Sequence, residues 1–284
     1  MKRKLVAILT LCAMLALCVV GVIGCNGNTA DNREYSKGLD FELNKEQTGY
    51  ILTGAGYCGD IKVVIPSEYN DKPVVAIGER AFYQVDFIKT VEIPSKVTSI
   101  GDDAFCRCNN LKSVTFEENS KLESIGFRAF SDCDSLESIE IPSSVTSIGY
   151  AFSSCSNLKS VTFGENSKLE SIGFFAFSSC KSLESIEIPS SVTSIGGGAF
   201  RDCSNLKSVT FGENSKLESI ANSAFSSCKS LESIEIPSRV TSIGNYAFNE
   251  CSKLTIYCQA TSKPSGWNFY WNYSNCPVVW GYKG

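Results

Sequence analysis

The sequence predicts a solenoid of stacked repeats, with a curved parallel β-sheet on one face and short turns, 3₁₀ turns or helical segments on the other. Three observations predict it. An Ala-Phe pair returns at a nearly constant spacing, each unit carries a short apolar pattern typical of a strand, and the segments at both ends of the array break the period. A unit of this size cannot bury a core alone, so the units are expected to stack.

The period is seen best in the phenylalanine of the Ala-Phe pair, whose steps are 23, 25, 22, 25, 23, 25 and 23 residues. Its copies are Phe82, Phe105, Phe130, Phe152, Phe177, Phe200, Phe225 and Phe248. Two kinds of unit alternate, one with IPSSVTSIG (residues 141–149) and one with FGENSKLESIG (residues 163–173). The true unit is therefore a pair of repeats. The short step of 22 arises because Tyr150 alone fills a place that two residues fill elsewhere.

Each unit opens with a six-residue stretch of the form L-x-x-I-x-I. The stretches are residues 88–93, 111–116, 136–141, 158–163, 183–188, 206–211 and 231–236. Apolar residues at the first, fourth and sixth places favour a short strand whose sixth residue turns into the core, and stacked copies would form a parallel sheet. A proline after the sixth residue of every second stretch ends the strand.

The two ends of the array are predicted to be caps, because an open solenoid would otherwise expose its terminal apolar faces to water. Residues 39–78 are assigned to an N-terminal cap and entry repeat, with strands at residues 43–53 and 61–65. Residues 79–257 form the repeats. Residues 258–284 form a C-terminal cap that holds all three tryptophans, preceded by a strand at residues 254–257 that is two residues short.

The N-terminus has the features of a bacterial export signal. A basic start is followed by an uncharged apolar run over residues 5–23, which ends in Val22-Ile23-Gly24-Cys25. This ending resembles a lipobox, which implies a signal peptide at residues 1–24, lipidation of Cys25 and a polar tether over residues 25–38. A secreted protein that is cut elsewhere and an uncleaved signal anchor are the alternatives.

Composition excludes several classes of function. The chain has 26 basic and 30 acidic residues, a formal charge of -4 and no basic block, which argues against nucleic acid as a partner. Histidine is absent, which removes the commonest general base and metal ligand. No nucleophile and base pair, phosphate loop or metal spacing occurs, so no catalytic residue, metal site or cofactor is predicted. Mechanisms based on carboxylate pairs or lysine stay open.

Seven cysteines follow the repeat phenylalanine at an offset of three. They are Cys108, Cys133, Cys155, Cys180, Cys203, Cys228 and Cys251. Val85 holds this place in the first repeat, so the position favours a small apolar filler, and we expect a buried ladder of reduced thiols. Metal binding and redox chemistry are the alternatives. Cys58, Cys106, Cys258 and Cys276 lie off the ladder, and a disulfide between the last two could fasten the C-terminal cap.

The most variable place in the repeat is the pair of residues before Ala-Phe, which points to exposure. Three successive units carry aromatics there, and the candidate binding residues are Phe127, Arg128, Tyr150, Phe174 and Phe175. Stacking would gather the rings into one apolar stripe, and such patches usually mark contact sites. The alternative is that the rings cover neighbouring turns. On the strand face, lysine and glutamate alternate at the second place, which predicts a self-complementary polar surface. The tail aromatics are expected to cap the last repeat.

The strand, the following I-G-x-x-A-F turn and the cysteine together resemble the BspA-like leucine-rich repeat family over about residues 60–258. The resemblance implies a leucine-rich repeat solenoid in a surface-exposed or secreted protein, and adhesion to host matrix proteins in some members. We expect a non-catalytic cell-surface lipoprotein that binds an extracellular macromolecule, in the first place a protein such as a host matrix protein, with membrane contact only through its lipid. A glycan-binding lipoprotein for nutrient capture and a structural envelope protein without a dedicated ligand are the alternatives.

Overall fold

A computed structural model of the chain describes residues 34–283, so the signal segment, Cys25 and the first part of the tether lie outside the described residues. The described residues form a parallel β-solenoid of about ten turns. This confirms the predicted solenoid. In residues 34–283 there is no helix with the length and hydropathy needed to cross a membrane.

One face of the solenoid is built from four-residue strands, one per turn. These are β6 (Thr90–Ile93), β8 (Ser113–Phe116), β10 (Ser138–Ile141), β12 (Ser160–Phe163), β14 (Ser185–Ile188), β16 (Ser208–Phe211), β18 (Ser233–Ile236) and β20 (Thr255–Cys258). Each of the first seven is the last four residues of a predicted six-residue stretch. Within β10, Ile139 and Ile141 are buried and Ser138 and Glu140 are exposed. The alternation follows from the period-two geometry of a strand, and it confirms the assignment of the fourth place to the core. The sixth place is buried where isoleucine holds it and half-buried against the core where phenylalanine holds it.

The second face carries two-residue strands and turns. These strands are β7 (Ser99–Ile100), β9 (Ser124–Ile125), β11 (Ser147–Ile148), β13 (Ser171–Ile172), β15 (Ser194–Ile195), β17 (Ser219–Ile220) and β19 (Ser242–Ile243). They pair in parallel and in register, serine on serine and isoleucine on isoleucine. The helical or 3₁₀ alternative for this face is not realised in the described residues. The return segment is too short to nucleate a helix, and its backbone groups are satisfied by the neighbouring turns instead.

The strand pairing confirms that the structural unit is a pair of repeats. Four residue pairs join β6 to β8, β10 to β12, β14 to β16 and β18 to β20. One residue pair joins β8 to β10, and two join β16 to β18. No ladder joins β12 to β14, where the strand face divides into two five-stranded sheets. The interface inside a pair is thus tighter than the interface between pairs.

The core is a column of the eight repeat phenylalanines. All eight are fully buried. Adjacent rings lie 4.9–5.7 Å apart between centroids, with planes within 12° of each other. Each repeat therefore packs on its neighbours through the same contact, as expected for a one-dimensional array.

The N-terminal segment forms five short strands rather than the two predicted. They are β1 (Asp40–Leu43), β2 (Tyr50–Gly54), β3 (Lys62–Val64), β4 (Glu68–Tyr69) and β5 (Lys72–Ile77). The predicted strand at residues 43–53 was wrong, because a turn separates β1 from β2. In that turn Gln47 has φ 58°, and the Asn44 side chain accepts hydrogen bonds from the backbone of Thr48 and Gly49. The other predicted strand, at residues 61–65, contains β3.

The C-terminal segment continues the array with one degenerate turn. The predicted strand at residues 254–257 was too short, because β20 has four residues and Cys258 pairs with Ile236. The stretch from Leu254 is one residue shorter than those of the repeats, where the sequence predicted two. A last strand, β21 (Val278–Trp280), pairs in parallel with β20. The N–H of Trp267 donates to the carbonyl of Pro264 at 3.1 Å, as Val240 does to Pro237 at 3.1 Å in the last repeat. The turn after the proline is therefore repeated inside this segment.

Candidate binding surface

The residue pairs before each Ala-Phe form a continuous row of turns, which we call the turn row. Its members are Glu79-Arg80, Asp102-Asp103, Phe127-Arg128, the single Tyr150, Phe174-Phe175, Gly197-Gly198, Asn222-Ser223 and Asn245-Tyr246. The second residue of every two-residue member has a left-handed backbone, with φ between 50° and 61°. Its N–H usually donates to the first residue of the next member, as from Gly198 to Asn222 at 3.0 Å. The row is therefore fixed by backbone hydrogen bonds.

Four aromatic rings of the turn row lie in contact and form what we call the central aromatic patch: Phe127, Tyr150, Phe174 and Phe175. The centroid of Tyr150 lies 5.2 Å from that of Phe127 and 5.8 Å from that of Phe175. Phe174 and Phe175 are 4.1 Å apart. Phe127 and Phe174 are exposed, and the other two rings are half-buried. The structure thus brings together the four rings that the sequence singled out.

Two glycines in the next repeat make room for the end of this patch. A Cβ added to Gly198 would overlap Cε1 of Phe175, and one added to Gly197 would lie 3.1 Å from Cδ2 of Phe174. The left-handed φ of 61° does not by itself require glycine at position 198, because residues such as Arg128 and Tyr246 hold the equivalent φ. The Phe175 ring is therefore the reason for Gly198.

Arg128, the fifth candidate residue, lies in a charged network. Its Nε lies 3.6 Å from Oδ1 of the buried Asp103, and its Nη2 lies 3.9 Å from Oδ2 of Asp132. Nη2 also donates a hydrogen bond to Sγ of Cys106 at 3.3 Å. Arg80 reaches the other oxygen of Asp103 at 3.7 Å. The guanidinium of Arg128 is thus engaged within the fold.

Burial raises the pKa of the Cys106 thiol from 9.0 to about 11, against the opposing charge of Arg128. A thiol with such a pKa is almost fully protonated near neutral pH, and the thiolate is the nucleophilic form. Cys106 is therefore a structural member of the Arg128 network. The sequence held no repeating signal for this network, because Cys106 and Asp103 each occur at their place in one unit only, although arginine holds the place of Arg128 in the first unit as well, at Arg80.

The ladder cysteines are buried and unpaired, as expected, and their thiols also act as hydrogen-bond donors. Each Sγ donates to the carbonyl of the repeat phenylalanine in the preceding unit at 2.9–3.2 Å. Cys180, for example, donates to Phe152 at 3.2 Å. Val85 holds this place in the first repeat, although the turn before it has Ala55 at the phenylalanine place, where its N–H donates to Ala81 as that of Phe82 donates to Ala104. The place therefore accepts valine as well as a donor.

The cysteines off the ladder are also buried and unpaired, so the suggested disulfide between Cys258 and Cys276 was wrong. Cys258 occupies a core place on β20, while the Sγ of Cys276 donates to the carbonyl of Cys251 at 3.6 Å. Cys58 resembles a ladder member, because its N–H donates to the carbonyl of Ala55, three residues earlier. Across residues 34–283 no group of three or more cysteine or acidic side chains is arranged to hold a metal ion.

The strand face carries the predicted alternation of charge. Lys159 lies 3.4 Å from Glu137, and Lys207 lies 2.8 Å from Glu184, both measured from Nζ to a carboxylate oxygen. The Lys207 hydrogen bond lowers the pKa of Glu184. These pairs are exposed to solvent and contribute little to stability. The paired charges neutralise each other, as the predicted self-complementary surface requires.

A family model described as a BspA type leucine-rich repeat region matches residues 75–180 and 170–270, with six copies. The comparison with curated proteins gives no match. Among solved structures, a leucine-rich repeat protein of T. pallidum, TpLRR, is 30% identical with a TM-score of 0.55, covering 77% of this chain and 88% of its own.

Two further solved structures are similar. The pneumococcal vaccine antigen PcpA is 21% identical with a TM-score of 0.55, covering 87% of this chain and 85% of its own. A leucine-rich cell surface protein of Faecalibacterium prausnitzii A2-165 is 23% identical with a TM-score of 0.37, covering 90% of this chain and all of its own. The family model, the TpLRR match and the repeat geometry agree, and the chain belongs to the BspA-type leucine-rich repeat family.

Proposed function

We propose that this protein is a non-catalytic binding module of the bacterial cell surface, held to the membrane by a lipid on Cys25. The N-terminal signal pattern and the lipobox-like ending support the anchor. Family membership supports the binding role, since leucine-rich repeat solenoids generally serve as scaffolds for binding. A polar tether of the length predicted for residues 25–38 would lift the solenoid off the membrane toward an extracellular partner.

The proposed contact site is the central aromatic patch, and the proposed partner is an extracellular protein such as a host matrix protein. The observation that carries this proposal is the contact among the four rings on a row held by backbone hydrogen bonds. Exposed aromatic clusters mark protein contact sites, and rigid rings lose little entropy on binding. Arg128 is left out of the proposed site because its guanidinium is engaged by Asp103 and Cys106.

The test uses the full chain, purified in detergent, on an array of extracellular-matrix proteins. Phe127→Ser and Phe174→Ser remove exposed rings and are expected to weaken binding at least about tenfold, equal to about 1.4 kcal/mol. Gly198→Ala keeps every ring but displaces that of Phe175, so it is expected to weaken the same interaction. Tyr57→Ser is the matched control, because Tyr57 is a fully exposed aromatic in the entry segment.

Two results would contradict this proposal. One is the absence of binding to every matrix protein on the array, and the other is binding that is equal in the wild type and in Phe127→Ser. Equal unfolding midpoints of the wild type and the serine variants would show that a loss of binding does not come from unfolding. Separate labelling of the chain by a radioactive fatty acid in cells, with Cys25→Ser as control, tests the anchor.

A further inference from the structure

The aromatic side chains of the C-terminal segment divide into a buried set and an exposed set. Trp267 and Trp271 are 3% and 6% exposed. Trp271 packs edge-on against Phe248, the last ring of the core column, at 6.2 Å between centroids. Phe269 and Tyr273, in contrast, are 82% and 57% exposed. Capping of the array thus explains the tryptophans, and it leaves the exposed rings without a structural task.

The exposed rings form a second group, which we call the C-terminal aromatic cluster: Tyr246, Phe269, Tyr270 and Tyr273. Tyr246 lies parallel to Tyr270 at 5.9 Å and edge-on to Tyr273 at 5.1 Å. Phe269 contacts Tyr270 edge-on at 5.0 Å. The N–H of Tyr246 donates to the carbonyl of Tyr270 at 2.9 Å, the same hydrogen bond that joins earlier members of the turn row. The cluster is therefore a backbone-fixed continuation of that row.

The two ends of the turn row differ in their content of charged residues. The first three members carry Glu79, Arg80, Asp102, Asp103 and Arg128, and two of their ion pairs meet at Asp103. From Gly197 to Tyr246 the row members are glycine, asparagine, serine and tyrosine. A surface of this kind attracts neither polyanions nor charged peptides over a distance.

Polar groups beside the C-terminal aromatic cluster are mostly uncharged. The Ser274 hydroxyl donates to the side-chain oxygen of Asn249 at 3.2 Å and accepts from the N–H of Glu250 at 2.9 Å. The carboxylate of Glu250 accepts a hydrogen bond from Ser227 at 3.1 Å. Within the described residues, the hydroxyls of the cluster's three tyrosines make no hydrogen bond. Rings and free hydroxyls therefore meet on one surface, with the carboxylate of Glu250 as the charged group beside it.

We propose that the C-terminal aromatic cluster is a second binding site and that it takes a neutral glycan. A pyranose ring presents an apolar C–H face, which packs on an aromatic ring, and hydroxyls at its edge, which exchange hydrogen bonds with tyrosine and amide groups. The exposed rings supply the first interaction, and the free tyrosine hydroxyls supply the second. The neutral half of the turn row suits a ligand without charge. This site lies apart from the central aromatic patch and does not depend on the function proposed for that patch.

The test measures retardation of the full chain, in detergent, in native gels that contain mannan, a mixed-linkage β-glucan or arabinoxylan, with heparin as the charged counterpart. The protein is expected to be retarded by at least one neutral polysaccharide and not by heparin. Phe269→Ser and Tyr270→Ser are expected to weaken that interaction about tenfold. Tyr57→Ser and Phe127→Ser, which remove exposed rings elsewhere, are expected to leave it unchanged.

Several outcomes would overturn the inference. They are retardation by none of the neutral polysaccharides, equal retardation of the wild type and Phe269→Ser, and retardation by heparin alone. A loss of matrix-protein binding in Phe269→Ser, with polysaccharide binding intact, would assign the cluster to a protein partner instead. Since Phe269 is 82% exposed, its substitution leaves the fold intact, and a negative result remains interpretable. Variants of Phe127 and variants of Phe269 let the two proposed sites fail separately.

Discussion

At the scale of the residue, the ladder cysteines do more than fill space. The sequence favoured a small apolar filler, because valine replaces cysteine in the first repeat. In the structure the thiol of Cys180 donates to the carbonyl of Phe152, which also accepts the N–H of Cys155 at 3.4 Å. The thiol thus supplies a second donor to a buried carbonyl that has two lone pairs. If the thiol only fills space, replacing it with valine should cost little, whereas the loss of a hydrogen-bond donor should lower stability.

We predict that Cys180→Val lowers the free energy of unfolding by about 1 kcal/mol, because the Phe152 carbonyl loses a donor while the side-chain volume changes little. Urea denaturation at neutral pH measures the difference. Cys258→Val is the control, and it should cost less, because the buried Cys258 thiol makes no hydrogen bond within the described residues. Equal stability of the wild type and Cys180→Val would restore the simpler role of filler.

Cys106 makes stability depend on pH in the alkaline range. Its pKa is raised by burial from 9.0 to about 11 in the folded chain, so the folded chain keeps a proton that the unfolded chain releases. The resulting stabilisation is complete below about pH 9 and is lost as the pH rises toward about 11. We predict that the unfolding midpoint of Cys106→Ser falls less between pH 8.5 and pH 11 than that of the wild type. Each midpoint is referred to its own value at pH 7, and parallel curves would contradict the prediction.

At the scale of the element, two repeats act together because the backbone hydrogen bonds alternate in length. Inside a pair of repeats, Lys159 N–H donates to Glu137 at 2.9 Å, and Lys207 donates to Glu184 at 2.8 Å. Between two pairs, Glu184 N–H donates to Lys159 at 3.5 Å. The longest of these bonds coincides with the break between β12 and β14. The two repeat types that alternate in the sequence therefore alternate in the length of the backbone hydrogen bonds between their strands.

We predict that the amide of Glu184 exchanges with solvent deuterium faster than the amides of Lys159 and Lys207. The longer hydrogen bond and the missing ladder lower the free energy of local opening at that point. Hydrogen exchange resolved by nuclear magnetic resonance measures all three amides in one sample, with the Lys residues as internal controls. Protection that is uniform over the three amides would show that the pairing of repeats has no energetic consequence.

At the scale of the whole molecule, stability depends on the end contacts, because each repeat touches only its neighbours. The described C-terminal segment closes the core column with Trp271 against Phe248, and Trp267 donates from Nε1 to the carbonyl of Val240 at 3.1 Å. Both rings fill space that a further repeat would otherwise fill. Loss of either should therefore act first on the last repeats.

We predict that Trp271→Ala costs about 3–5 kcal/mol locally, the range for a buried aromatic, and that this cost is concentrated at the end of the array. Amides of β18 and β20 should exchange faster, while those of β6 and β8 keep their protection. Phe269→Ala is the control, since that ring is exposed and should leave exchange unchanged. An equal rise in exchange over all strands would mean that the array unfolds as one unit.

The sequence predicted the parts of the fold that repeat and missed those that occur once. The strand positions, the pairing of repeats and the buried cysteines follow from regularities that eight copies make visible. The turn between β1 and β2, the full length of β20 and the network around Arg128 have no second copy to reveal them. The degenerate turn of the C-terminal segment did leave a signal in the sequence, because Pro264-Ser265-Gly266-Trp267 begins with the Pro-Ser pair that follows the strand in the repeats.

In the candidate site, too, the sequence predicted which turns carry the aromatic residues but not how their side chains pack. Sequence spacing alone placed Phe127, Tyr150 and Phe175 in successive turns, because the period and the core positions arise from local residue order and hydrophobic alternation. Whether the rings meet, which of them point outward and where Arg128 turns depend on the packing of side chains from different turns, which only the folded stack specifies. The Phe175 ring lies close to Gly198, which is 23 positions away in the sequence. The thiol of Cys180 donates its hydrogen bond to the carbonyl of Phe152, 28 positions earlier. The distance between two such residues is set by how their turns stack, and the order of residues along the chain does not specify it.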